Sequence, residues 1–171
     1  LATGKTFNFA DGKRENRLRE KVSYAVMDLE TGKWGPMRFL TLPEKDHGGH
    51  LITAANAGCV QRVDLPNGEV LLPVRYWRNP KKHNYTSMVT RCEFDGHTLR
   101  YKEHGTEMTI PRGRGLYEPS LARFDGKYFL TMRADHTAYV TRGEDGIQFE
   151  PIREWTFDDG KPLGSYNTQQ H

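Results

Sequence analysis

The chain has 171 residues, of which 36% are apolar, 27% charged and 11% aromatic. It is long enough to bury a core and too aromatic to be disordered. Its net charge of +3, from 25 basic and 22 acidic residues, is too small to point to nucleic acid, and no apolar run approaches the ~20 residues of a membrane-spanning helix.

In chain order, residues 1–20 are polar apart from Phe7 and Phe9, and we read an extended segment that completes a neighbouring sheet. The mixed-sign run from Lys13 to Lys21 reads as a solvated face. Val22 to Asp28 and Trp34 to Leu42 are predicted strands around a turn at Glu30 to Lys33, the second broken by Gly35-Pro36. In the loop 43–50, Asp46, His47 and His50 have the composition of a metal cluster. The glycine pair 48–49 makes that loop flexible, and no metal is expected.

Leu51 to Ala57, Val60 to Leu65 and Val70 to Trp77 are predicted strands, and Pro73 predicts a bulge or an edge position for the last. Residues 78–84 form a basic loop. Tyr85 to Phe94 and Thr98 to Lys102 pair around Asp95-Gly96, and a short strand is expected at Met108 to Ile110. Ala138 to Arg142 and Ile147 to Ile152 pair around Glu144 to Gly146. No window carries a capped, 3.6-residue apolar period, so helix is nearly absent from the prediction. The two cysteines, Cys59 and Cys92, lack metal-site spacing and read as buried thiols, with a disulfide left open.

The stretch from Arg114 to Asp135 is the most informative. Asp125-Gly126 is a strong hairpin signal between Tyr117 to Phe124 and Lys127 to Arg133. A hairpin there returns Arg133 to the edge at which Glu118 starts, beside Asp135. A carboxylate and a guanidinium delivered together to a sheet edge form a candidate site.

Internal similarity indicates the architecture. Leu65 to Arg75 parallels Arg123 to Arg133, each with Gly seven residues before Arg, and Val89 to Gly96 parallels Val140 to Gly146. A unit of two hairpins recurs at roughly 50–60 residues, the mark of a β-propeller with four-stranded antiparallel blades. About three blades fit into the chain, fewer than close a ring. The first residue is not Met, and we expect one partial propeller domain over 1–171, belonging to a longer protein. In blade geometry the innermost strands line the axis, which nominates Gln61, Arg62 and Arg75. The polar-aromatic tail Tyr166, Asn167, Gln169 and His171 suits sugar hydroxyls.

These residues resemble the sialidase (neuraminidase) superfamily of β-propellers. Tyr117 to Leu121, Asp125-Gly126 and Leu130 to Arg133 are similar to its pattern of a Glu opening a strand, an Asp-Gly turn and an Arg ending the return strand. Asn56 to Val74 is similar to the preceding blade. Phe94 to Leu99 and Glu144 to Phe149 look like degenerate Asp-boxes, the Ser-x-Asp-x-Gly-x-x-Trp turn (BNR repeat) of that fold.

The resemblance implies a glycosidase that removes a terminal acidic sugar, with no cofactor and a carbohydrate as its partner. It implies Glu118 as the base that activates a nucleophilic Tyr, and Arg133 as a ligand of the sugar carboxylate, with Asp135 close by. A tyrosine hydroxyl has an ordinary pKa near 10 and needs such a base at neutral pH. The Arg-Ile-Pro motif of the first arginine is absent, the acid/base Asp has no clear match, and the nucleophile and third arginine would fall after His171. A glycosidase or lyase using Glu118 with Asp135 or Asp64, and a non-catalytic binding propeller, stay open as alternatives.

Overall fold

The computed structural model describes residues 1–5, 9–10, 13–14, 21–58 and 60–163. Among them the chain is all β: fourteen strands and no helix. A first sheet runs β1 (Ala2–Lys5), β4 (Val22–Ala25), β5 (Arg38–Phe39), and β2 (Phe9–Ala10) with β3 (Lys13–Arg14) forms a separate hairpin. The second sheet runs β6 (Thr53–Asn56), β8 (Glu69–Trp77), β9 (Tyr85–Phe94), β10 (Leu99–His104), with β7 (Val63–Asp64) also on β8. The third runs β11 (Tyr117–Phe124), β12 (Lys127–Arg133), β13 (Ala138–Gly143), β14 (Arg153–Glu154). All strand pairs within these sheets are antiparallel.

The extended segment expected near the start is present as β1, which pairs with β4. Several predicted strands shrink. Trp34 to Leu42 reduces to β5 and an isolated bridge from Met27 to Trp34, which the Gly35 amide closes on the Val26 carbonyl at 2.8 Å; Pro36, the next residue, has no N–H to carry the ladder on. Ile147 to Ile152 does not pair as a strand. The Asp145 carboxylate takes the amides of Ile147 and Gln148, and pairing with β13 falls instead to β14. Met108 contributes one bridge, to Ser87.

Pro73 is neither at an edge nor in a bulge. It lies inside β8, in register with Val89 of β9, and on the other side it faces the break between β6 and β7. A residue without an N–H costs least where a ladder is interrupted.

The core explains why β8 is apolar along its length. Its alternate residues serve two interfaces. Leu72, Val74 and Tyr76 pack with Val22, Tyr24 and Leu40 of the first sheet region. Leu71 packs the other way, with Leu121, Leu130 and Met132 of the third sheet. Cys92 is a free, buried thiol whose pKa burial pushes up to about 11, and Cys59 lies outside the described residues.

The sheets repeat one another in detail. Asp28, Asp95 and Asp145 each close their own turn by accepting two backbone N–H groups on Oδ1, at 2.7–3.1 Å. The second and third sheets each open with a bulged strand, its register shifting between Thr53 and Asn56 and between Tyr117 and Ser120. The residue after the first paired position has positive φ in both: Ala54 at 50° and Glu118 at 52°. Left-handed backbone is costly for any side-chain-bearing residue, and bulges of this kind re-aim side chains beside functional sites.

Candidate functional site

The bulge at the start of β11 determines where the charged groups meet. Without it Tyr117 and Glu118 would project to opposite faces. With it, Arg133, the register partner of Tyr117, reaches both. Its NH1 lies 3.1 Å from Oε2 and 3.4 Å from Oε1 of Glu118, and its guanidinium sits 5.2 Å from the Tyr117 ring centre. Arg75 arrives from the neighbouring sheet, its NH1 3.9 Å from Oε1 of Glu118. All three side chains are largely enclosed, at 13–15% exposure.

The site has an aromatic floor. The Arg75 guanidinium lies 4.7 Å from the Tyr85 ring centre and 5.9 Å from that of Tyr117. Tyr85, Tyr117, Trp77 and Ala54 form a small buried cluster beneath. Stacking on ring faces orients a guanidinium without consuming its in-plane donors. Arg75 makes no hydrogen bond among the described residues, and its buried Nε has no partner.

Asp135 plays a different part from the one expected for a sugar ligand. Its Oδ1 accepts from Arg114 Nε at 2.7 Å and from the Tyr117 hydroxyl at 3.0 Å, and its Oδ2 accepts the Arg114 amide at 2.9 Å. The Arg114 bonds hold its carboxyl down to about 2. Arg114 NH2 also donates to the Tyr117 hydroxyl at 2.7 Å. Burial and the bond to Asp135 push the Tyr117 phenol above its ordinary pKa. Tyr117 is thereby held as a donor rather than poised as a nucleophile.

Two glycines allow this closeness. Gly113 has φ +59°, and a Cβ there would lie 2.5 Å from Oδ2 of Asp135. Gly115 has φ +78°, and its Cβ would meet the Tyr85 carbonyl oxygen at 2.2 Å.

Of the residues nominated from sequence, Glu118, Arg133 and Arg75 come together, with Asp135 alongside through Tyr117. Arg62 instead pairs with Asp64 at 2.7 Å, and Gln61 is exposed, its carbonyl taking the Leu121 amide at 3.0 Å. Tyr166, Asn167, Gln169 and His171 lie outside the described residues. Sequence reasoning did not single out Tyr85, Tyr117 or Arg114 as site residues. The glycines flanking Arg114 were the available signal.

The loop with Asp46 and His50 forms a second polar centre. Asp46 is fully buried and accepts from the Tyr76 hydroxyl at 2.8 Å, Arg78 Nε at 2.6 Å and the His50 amide at 2.9 Å. Arg78 extends to Glu107 at 2.6 Å, tying the loop before β6 to the loop after β10.

Among solved structures, the chain is similar to Trypanosoma rangeli sialidase in several states. The complex with sialic acid matches at TM-score 0.52 and 19% identity, over 89% of this chain and 21% of that one. The covalent intermediate with 2,3-difluorosialic acid matches at TM-score 0.52 and 18% identity, over 89% of this chain and 21% of that one. The complex with the inhibitor DANA matches at TM-score 0.53 and 18% identity, over 95% of this chain and 24% of that one. The chain therefore spans a fifth to a quarter of the length of these sialidases. No family model and no curated protein sequence matches it. At this identity the likeness establishes the fold, an all-β arrangement of sialidase β-propeller type.

Proposed function

We propose that this chain is part of a single propeller domain and supplies the glutamate and arginine portion of a sialidase-type glycosidase site acting on a terminal acidic sugar. The observation that carries this reading is Arg75: an enclosed guanidinium, stacked on Tyr85, with unused in-plane donors, beside the Arg133–Glu118 pair. Guanidinium forks bind carboxylates in bidentate fashion, and an enclosed arginine with unspent donors favours an anionic ligand. Glu118 is the base in this reading. Its strained bulge fixes the carboxylate between the two arginines, where it can take a proton from a nucleophile supplied by another part of the protein. The likeness to sialidases supports the fold that such a site requires.

Asp135 serves as a positioning residue. A carboxyl held near 2 is a poor proton donor at neutral pH, which weighs against Glu118 and Asp135 as an acid/base pair. The test is hydrolysis of a fluorogenic sialoside by the full-length protein, beside neutral-sugar and uronide substrates. Release from the sialoside alone supports the proposal. Silence across the panel from folded protein removes it and favours a binding propeller.

A further inference from the structure

The structure brings His47, from the loop before β6, against His104, at the end of β10, and Glu107, just beyond it. We infer that these three side chains form a binding site for a zinc-type divalent cation, clipping the two loops together. The site lies outside the Glu118 centre and does not depend on the proposed reaction.

The donor set is two imidazoles and a carboxylate, the ligand types of zinc and its neighbours in the first transition series. One ligand atom from each lies within 4.8 Å of the others. Oε1 of Glu107 is 3.0 Å from His104 Nε2 and 3.7 Å from His47 Nδ1. Tetrahedral ligands at ~2.0–2.1 Å from a metal stand about 3.3 Å apart, so the two spacings bracket what a shared ion requires. The imidazole rings are stacked, with centres 4.0 Å apart and planes at 12°. His47 is 64% exposed, so its ring is free to turn its Nδ1 toward the ion. The same exposure leaves one coordination position open to water.

The surroundings are those of a supported ligand set. His104 Nδ1 meets the Tyr101 hydroxyl at 2.7 Å, which fixes the ring with Nε2 toward Glu107. Arg78 holds Oε2 of Glu107 at 2.6 Å, leaving Oε1 to the imidazoles and the His47 amide at 2.6 Å. Such outer contacts orient ligands and raise affinity. The charges also suit a cation. Arg78 is paired with buried Asp46, so Asp46, Arg78 and Glu107 together leave one net negative charge beside the two rings.

The experiment is equilibrium dialysis of the untagged full-length protein against Zn²⁺ after chelator treatment, with Co²⁺ as an optical probe. Expected is one Zn²⁺ per chain, visible d–d absorption with Co²⁺, and binding weakened about tenfold or more by His47→Ala and by Glu107→Gln. His47 is exposed, so His47→Ala keeps its fold, checked by circular dichroism. Tyr101→Phe should weaken binding while sparing all three ligands. No stoichiometric Zn²⁺, or Zn²⁺ retained equally by His47→Ala and Glu107→Gln, overturns the inference.

Discussion

Arg75 and Arg133 meet at one carboxylate from two different sheets: Arg133 NH1 lies 3.1 Å and Arg75 NH1 3.9 Å from Glu118. They are not register equivalents. Arg133 pairs with Tyr117 at the start of its bulge, and in the preceding sheet that place, opposite Thr53, is held by Trp77. The two arginines therefore approach Glu118 from different heights along their strands. Arg75→Lys and Arg133→Lys should each raise KM for a carboxylate-bearing sugar about tenfold, because a lysine lacks the planar fork. Unchanged KM for both, with folding intact, would remove the carboxylate subsite.

Glu118→Gln keeps the size and the bulge but removes the carboxylate that we propose as the base. Sialoside turnover by the full-length protein should fall about 100-fold or more, the usual contribution of a general base, with thermal unfolding little changed. Near-normal turnover takes Glu118 out of the mechanism.

Gly115→Ala places a methyl 2.2 Å from the Tyr85 carbonyl oxygen at φ +78°. The loop must shift, at a cost of about 2 kcal/mol or more. Urea unfolding measures this, and a loss within about 0.5 kcal/mol would show that the parallel bridge from Tyr85 to Gly115 yields easily.

The Asp135 carboxyl titrates near 2 in the folded protein because Arg114 and Tyr117 bind its ionised form. Its contribution is complete above the unfolded pKa of ~3.9 and is lost as pH falls toward 2. Asp135→Asn should lower the urea midpoint at pH 7 and flatten its decline between about pH 4 and 2. A parallel acid limb in the variant and the parent would contradict this.

Arg78→Ala leaves Asp46 buried with Tyr76 and the amide and ring Nδ1 of His50 as the remaining partners of its side chain. Stripping one partner from a buried ion pair costs about 3 kcal/mol, in the lower part of the usual range because Arg78 is partly exposed. Arg78→Ala with Asp46→Asn should recover part of that loss in a double-mutant cycle. Simple additivity would deny the coupling.

Most strands, the Asp125-Gly126 hairpin and the meeting of Glu118 with Arg133 were legible because alternation and turn chemistry are local signals; the repeated Gly-to-Arg spacing did not carry over to register, since Arg75 and Arg133 hold different places in their sheets. Pro73 was misplaced because the break between β6 and β7 opposite it is a tertiary fact. The bulge at Glu118 was not legible: no glycine marks it, and the residue bears its positive φ because the fold imposes it. His104 and Glu107 gave no signal either, since Arg78 and His47 reach them only through pairing between strands and loops distant in the chain.

The two-sided burial of β8 bears on how the molecule can be dissected. Leu71 and Leu72, adjacent in sequence, belong to separate cores. Cutting the chain after β10 would strip Leu71 and Val89 from Leu121, Leu130 and Met132 and would take Arg75 from Glu118. An excised piece that keeps both arginines around the carboxylate and both of their sheets whole runs from β6 through β14. That piece leaves Leu72, Val74 and Tyr76 without the first sheet, so engineering it to be soluble means redesigning that face rather than trimming ends.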